Sequence, residues 1–312
     1  MTPKNTFRSR QVILLYHRIA RLELDPWSLC VTPEHFVEHL EVLRACVPIK
    51  LNQVNPSGRP IGEGAASVTI TFDDGYADNL YQASPLLERY GMTATFFIAT
   101  GYIGETREFW WDELEKIIFQ SATLPGTLKF PEAGGARSFH IEPRSPRMPL
   151  YLSLYEYLQP MAHEKRRDLL DQLLNWSHQP VAVRDSHRVM TRDEVCTLAR
   201  TTLVEIGAHT VTHPKLASQP LTTQQAEVRQ SKAWLEELLN RPITSFSYPF
   251  GGRDHYSAKT VQAVREAGFT GACITAARHV DMRDTLYELP RFNITDMNGE
   301  EFERLLFPKG LN

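Results

Sequence analysis

The sequence predicts an α/β protein: a distorted (β/α) barrel of about seven mostly parallel strands with a largely helical insertion. Three observations predict it. Short apolar or alternating runs of strand length recur along the chain. Helical patterns separate most of them, and strand–helix–strand units with short connections imply parallel pairing through right-handed crossovers. Between residues 101 and 200 this rhythm lapses, and then it resumes.

Taken in order, Val12-Ile-Leu-Leu-Tyr16 is a continuous apolar run, the pattern of a strand buried on both faces, with His17 at its end. Thr32-Pro33 reads as an N-cap and a first helical residue, and Phe36, Leu40 and Leu43 follow at helical spacing, so 33–45 is a helix. Residues 55–64, rich in Pro and Gly, form a loop. Val68-Thr-Ile-Thr-Phe72 then alternates with period two and ends in Asp73-Asp74-Gly75. Ser84-Pro85 caps a short helix that Gly91 stops after Tyr90, and 93–99 is the next strand.

In the interrupted stretch, Trp110, Trp111, Leu114, Ile117 and Ile118 predict an amphipathic helix. A Pro/Gly/Ser/Arg-rich loop is expected over 121–149, with helices near 163–176 and 191–199. Residues 101–200 thus read as an insertion suited to act as a lid, within one domain spanning 1–312. Alternation returns at Leu203-Val-Glu-Ile-Gly207, just before His209. Thr222-x-x-Gln225 reads as a capping box opening a helix over 223–239. A strand over 243–248, a helix over 257–267, a strand over 269–274 and a last strand within 287–294 complete the series.

Bulk composition excludes several classes. A net charge of −3 without blocks of like charge argues against a nucleic-acid protein and against a polybasic membrane anchor. No apolar stretch approaches the ~18 residues of a membrane span. Val12–Tyr16 is too short for a signal-peptide core. Cys30, Cys46, Cys196 and Cys273 form no C-x-x-C pair and read as reduced, buried thiols, which with the absent signal predicts a cytoplasmic location.

Chemistry concentrates at strand ends. Neighbouring aspartates point opposite ways along a strand, so Asp73 and Asp74 need a sharp turn to share a site, and Gly75 permits one. Like charges held that close call for a cation or a proton. His209-Thr-Val-Thr-His213 spaces two imidazoles four apart directly after a strand. His17, Asp73-Asp74, His209/His213 and Tyr248-Pro249-Phe250-Gly251 all follow strand C-termini, the face of a barrel where active sites form. Two imidazoles and one carboxylate make a ligand set for a catalytic divalent metal, leaving the second aspartate as a base and His17 as the best placed acid.

Thr71-Phe72-Asp73-Asp74-Gly75 followed by His209-Thr-Val-Thr-His213 resembles the polysaccharide deacetylase family, the NodB-homology carbohydrate esterases of family four. The resemblance covers 67–100 and 203–275, and extends to the first strand. It implies that Asp73 is the base and that Asp74, His209 and His213 bind a divalent metal, usually Zn2+, with Co2+, Ni2+ or Mn2+ as alternatives. Two departures stand out. The family's Arg-x-Pro-Tyr motif is replaced by Ser247-Tyr248-Pro249-Phe250, so its arginine is missing, and Arg291 in Leu289-Pro-Arg-Phe292 can supply that charge from another direction. The closing Leu-x-His is absent after Phe269, whereas Leu15-Tyr16-His17 matches it at the opposite end of the chain. A circular permutation, as in poly-N-acetylglucosamine deacetylases, would return that histidine to the same place, because the first and last strands of a barrel are neighbours.

The resemblance further implies that the Phe250 N–H helps hold an oxyanion. Gly251 admits substrate close to the backbone, Trp110, Trp111 and Tyr248 can stack on sugar rings, and Asp112 can bond hydroxyls. His35, His39, His163, His178 and His187 lack matching partners and read as surface residues. The activity expected is removal of N-acetyl groups from an amino sugar in a polysaccharide, oligosaccharide or lipid- or nucleotide-linked glycan precursor. A deformylase or O-acetyl esterase is the alternative within hydrolases. The missing motif arginine motivates one of another class, an inactive, metal-retaining glycan-binding protein.

Overall fold

Seven parallel strands close on themselves: β1 (Gln11–Tyr16), β2 (Ser67–Phe72), β3 (Ala94–Ile98), β4 (Val204–Ala208), β5 (Ser245–Ser247), β6 (Gly271–Thr275) and β7 (Leu289–Asn293). Their order around the barrel is β1-β7-β6-β5-β4-β3-β2, and β1 pairs with β2 to complete the ring. This computed structural model describes residues 11–56, 65–121, 123–132, 135–142 and 146–308. Most of the loop expected over 55–64 lies outside them.

Every residue of β1 and β2 is buried, because one face meets the barrel interior and the other meets helices, which explains the unbroken apolar run at Val12–Tyr16. In the interior, Ile13, Phe97, Cys273 and Leu289 pack together, while on the opposite, helix-facing side Phe96 stacks on Phe72 with ring centroids 4.7 Å apart and Phe72 meets Phe36 of the first helix. Gly207 is a steric requirement of this packing. A Cβ there would lie 2.5 Å from the Phe97 ring. Of the four cysteines, Cys30 and Cys273 are buried and Cys46 and Cys196 half-buried, all as free thiols.

Register sets the height of each strand end. Tyr16 pairs with Phe72, Phe72 with Phe96, and Ile98 with Ala208. Thr275 pairs with Arg291. The residues that follow, His17, Asp73 and His209, therefore leave the barrel at a common rim, tied by Asp73 N–H to Tyr16 C=O (3.0 Å) and His209 N–H to Ile98 C=O (3.0 Å).

Helix α1 (Pro33–Leu43) starts as expected: the Thr32 hydroxyl accepts the His35 N–H, and proline opens the helix. Two helix starts differ from expectation. The chain is already helical over Asn79–Ala83, so Ser84 continues a turn into α2 (Ser84–Tyr90) and is not its cap. Further along, α7 (Leu221–Leu239) starts behind Pro220, which leaves Thr222 and Gln225 within its first turns. In α8 (Ala258–Glu266), Ser257 and Thr260 form the reciprocal cap. The last helix is α9 (Gly299–Leu306).

The chain divides into two compact units: residues 1–104 with 189–312, and Glu105–Arg188. The first contains the barrel and α6 (Arg192–Ala199). The second is built from α3 (Trp110–Glu115), α4 (Arg147–Leu158), α5 (His163–Ser177) and a β-hairpin of Thr127–Glu132 with Gly135–His140. The hairpin overturns the loop expected over 121–149. Leu128 and Phe130 alternate with exposed Thr127 and Lys129, a period-two signal that the Pro/Gly-rich surroundings obscured. The second unit's core combines Trp110, Leu114, Tyr151 and Leu170 with a buried Arg166 whose guanidinium lies 4.9 Å from the Trp110 ring centroid.

His39 and His187 are buried, contrary to their expected surface placement. His39 Nε2 donates to the Met297 carbonyl (2.8 Å), and its Nδ1 accepts from the Tyr16 hydroxyl (3.2 Å), a neutral imidazole in a closed pocket. Burial pushes its pKa down to about 4. The unfolded chain, with a histidine pKa near about 6.5, therefore takes up a proton that the folded chain refuses. Stability contributed by His39 is complete above that value and is lost as pH falls toward 4. Urea unfolding at pH 7.5, 6.0 and 5.0 should show wild type losing up to about 1.4 kcal/mol more per pH unit than His39→Gln.

Candidate active site

The site begins with a strained turn. Gly75 N–H donates to Asp73 C=O (3.0 Å), closing a three-residue turn around Asp74, which sits at φ 77°. That reversal brings two sequence neighbours to one site although a strand would point them apart. Gly75, at φ 94°, has the conformational freedom expected of it.

Asp73 is buried and takes both guanidinium nitrogens of Arg291: Nη1 to Oδ1 at 2.8 Å and Nη2 to Oδ2 at 2.7 Å. The Ser247 hydroxyl donates to Asp73 Oδ2 (3.0 Å) and accepts from Arg291 Nη2 (2.8 Å). Arg291 thus meets Asp73 from β7, and Ser247 contributes a hydroxyl where the family motif carries arginine. Burial alone would raise the Asp73 pKa, but the Arg291 charge and hydrogen bonds, together with the nearby His209 and His17, outweigh it and hold the carboxyl well below the usual range.

Asp74, His209 and His213 converge. Asp74 Oδ1 lies 3.5 Å from His209 Nε2 and 3.4 Å from His213 Nε2, and the two Nε2 atoms are 3.1 Å apart. His209 Nδ1 donates to the Ser247 carbonyl (2.8 Å), so its Nε2 faces the triad. Asp74 Oδ1 is buried without a hydrogen-bond partner. Three donor atoms converging around an orphaned carboxylate oxygen fit a divalent cation: ligand atoms of a tetrahedral site sit about 3.4 Å apart at the usual Zn–N and Zn–O bond lengths. Burial would lower the His209 pKa, yet Asp73 and Asp74 together raise it. Asp74 is pushed up by burial and brought below its ordinary value by His209 and His213.

The loop carrying the two histidines is held in a conformation that few residues adopt, with Thr210 at φ 66° and His213 at φ 50°. Glu227 on α7 holds it from one side. Its Oε2 accepts the Val211 and Thr212 N–H groups at 2.7 and 2.8 Å, and its Oε1 accepts the Thr212 hydroxyl at 2.6 Å. The Thr100 and Gly101 N–H groups reach the Thr210 and Val211 carbonyls from the other side. Only glycine admits that approach, since a Cβ on Gly101 would stand 2.7 Å from the Val211 oxygen. The sequence offered one faint signal for Glu227: a carboxylate on a buried stripe of α7, beside Val228 and Ser231.

His17 follows β1 at the same rim and feels the charges of Asp74 and Asp73, although burial dominates and lowers its pKa. Its carbonyl accepts from Asn79 Nδ2 (2.9 Å). Phe250 is half-buried at φ 62°, its N–H makes no hydrogen bond with the described residues, and its ring meets the His213 ring at 4.7 Å. Pro249 is buried beside it. Gly251 is locked by Thr275, whose Oγ1 would be 2.2 Å from a Cβ. Tyr248 departs from its expected role. Its ring is fully buried, stacked on Tyr256 at 4.6 Å, and its hydroxyl donates to the Tyr287 carbonyl, so no face is open to a sugar. Trp111 and Asp112 belong to the second unit and are buried there, Trp111 stacked on Phe109 at 4.5 Å.

The profile of the polysaccharide deacetylase family matches residues 62–121 and 177–272, half of the chain, with both the aspartate and the histidine motifs inside the match. The chain belongs to this family, a family of hydrolases. Among curated proteins it is similar to YxkH of Bacillus subtilis, described as a candidate polysaccharide deacetylase: 21% identical over 296 residues, covering 93% of this chain and 74% of that one. Among solved structures, the Streptococcus pyogenes deacetylase PplD in complex with acetate superposes with a TM-score of 0.60 at 18% identity, covering 96% and 99% of the two chains. IcaB from Ammonifex degensii gives 0.58 at 15%, covering 92% of each. At these identities the likeness is one of fold.

Glu227→Gln keeps the shape of the side chain but weakens its grip on the Val211–Thr212 backbone. The expected outcome is a Zn2+ affinity about 10- to 100-fold weaker by competition with a chromophoric chelator. The far-ultraviolet spectrum should match wild type.

Proposed function

We propose that this chain is a metal-dependent deacetylase removing N-acetyl groups from an amino sugar in a glycan or glycan precursor, with Zn2+ its preferred metal. The observation that carries the proposal is the convergence of Asp74, His209 and His213 beside an Asp73 held as carboxylate by Arg291. A divalent metal bound by the triad would lower the pKa of water and polarise the acyl carbonyl.

The chain's own residues supply the rest. Arg291 keeps Asp73 ionised and fixes its two oxygens, so the carboxylate is ready to take a proton from the attacking water. The Phe250 N–H, which has no hydrogen bond among the described residues, is the donor this reading assigns to the oxygen on which charge develops. Burial makes protonated His17 a strong acid, suited to hand its proton to the departing amine. Phe250, half-buried beside His213, is the proposed substrate side of this arrangement, with buried Pro249 and Gly251 fixing its backbone.

The test is acetate release from a panel of N-acetylated sugars and oligosaccharides, with protein stripped of metal and then supplied with Zn2+. Acetate should appear only with metal. Asp73→Asn should lower turnover at least about 10³-fold while retaining one Zn2+, whereas His213→Ala should lose the metal and the activity together. Near-normal turnover by Asp73→Asn would overturn the assignment of the base. Formate in place of acetate would transfer the chemistry to an N-formyl substrate.

A further inference from the structure

A second cluster of metal-ligating side chains lies wholly within the second unit. Asp112 and Glu115 stand three apart on α3 and so share a helix face. His187 joins them from the short turn Asp185–His187. All three are about 95% buried, and one donor atom from each lies within 4.8 Å of the others.

The hydrogen bonds around the cluster divide its atoms in a telling way. Glu115 Oε1 accepts from Arg184 Nη1 at 2.7 Å, which leaves Oε2 facing His187 Nε2 at 3.7 Å, too far for a hydrogen bond. His187 Nδ1 is 2.9 Å from the Ser186 hydroxyl, while its Nε2 is buried with no hydrogen-bond partner. In the tautomer with Nδ1–H bonded to Ser186, the one a metal-ligating imidazole takes, Nε2 turns its lone pair toward Glu115 Oε2, with room between them for a cation. Charge points the same way. Arg184 also pairs with the fully buried Glu108, so one guanidinium serves two carboxylates beside His187. An imidazole oriented through its second nitrogen and a carboxylate held through its second oxygen are the supports that surround metal ligands.

We propose that Asp112, Glu115 and His187 form a second divalent-cation site, one whose mixed nitrogen and oxygen donors suit Zn2+ or Mn2+. The site does not rest on the deacetylase reading. It gives Asp112 a role other than contact with sugar hydroxyls, and it gives the buried His187 a partner.

The experiment uses the full chain with the rim triad disabled, His209→Ala/His213→Ala, dialysed against Zn2+ or, separately, Mn2+. Bound metal is counted by inductively coupled plasma mass spectrometry. One equivalent per chain should remain with one of the two ions. Adding Asp112→Asn or His187→Ala should then weaken its binding at least 100-fold, with melting curves reporting that each variant is folded. Asp112→Asn, nearly isosteric, decides the question if His187→Ala does not fold. A folded triad-disabled protein that retains neither ion overturns the proposal, and so does retention unchanged by Asp112→Asn.

Discussion

The buried ion pair of Arg291 with Asp73 is the constraint around which the barrel mouth is built. A guanidinium with no exposed surface donates to both Asp73 oxygens, to Thr71 Oγ1, to Ser247 Oγ and, more weakly, to the Ile274 carbonyl. Those partners belong to or directly follow β2, β5 and β6, so one side chain from β7 ties four of the seven strands. Taking two such ions out of water costs several kcal/mol each, and only a bidentate geometry with every donor satisfied offsets that cost. The arrangement fixes the aspartate's orientation and its charge at once. The hydroxyl of Ser247 takes part because the strand position where the family carries arginine is occupied here by a small side chain.

Rigidity of a different kind surrounds the histidines. Asp74, Thr210, His213 and Phe250 all hold positive φ without being glycine, and such residues cost on the order of 1–3 kcal/mol each. Those conformations persist because neighbouring groups overdetermine them: three hydrogen bonds to Glu227, two from the 100–101 backbone, and the Thr275 contact with Gly251. Strain gathers at the rim while the strands beneath it remain regular. This is where a site must place side chains that an unstrained chain would point apart.

Much of this was legible in the sequence because it was local. The strand endings at His17, Asp73 and His209 follow from apolar periodicity, and the two motifs announce their chemistry by residue type and spacing. Other features depend on partners far along the chain. Glu227 carries only a faint signature, since it acts on Val211 and Thr212 from another element. Tyr248 looked like an aromatic at a strand end, and only its packing on Tyr256 shows that its faces are taken. The helix over Trp110–Glu115 read as an apolar stripe, yet it also buries Asp112, Glu113 and Glu115, of which Glu113 and Glu115 become tolerable through arginines outside that stripe. Burial of charge is decided by such long-range pairing, and local periodicity does not report it. The same blindness put His39 and His187 on the surface.

The place of β1 in the ring has a consequence for how the polypeptide matures. This strand carries His17 and lies between β2 and β7, pairing Leu14 with Phe292. Its first neighbour leaves the ribosome soon after it, but its second follows only much later. At about 5–20 residues per second, nearly 280 residues of translation separate the two edges by roughly 15 to 55 seconds. Throughout that interval an apolar strand waits with one side unpaired, exposed to mispairing or to capture by a chaperone. Ring closure, which brings the strand that leads into His17 beside the strand that carries Arg291, therefore waits until β7 has emerged.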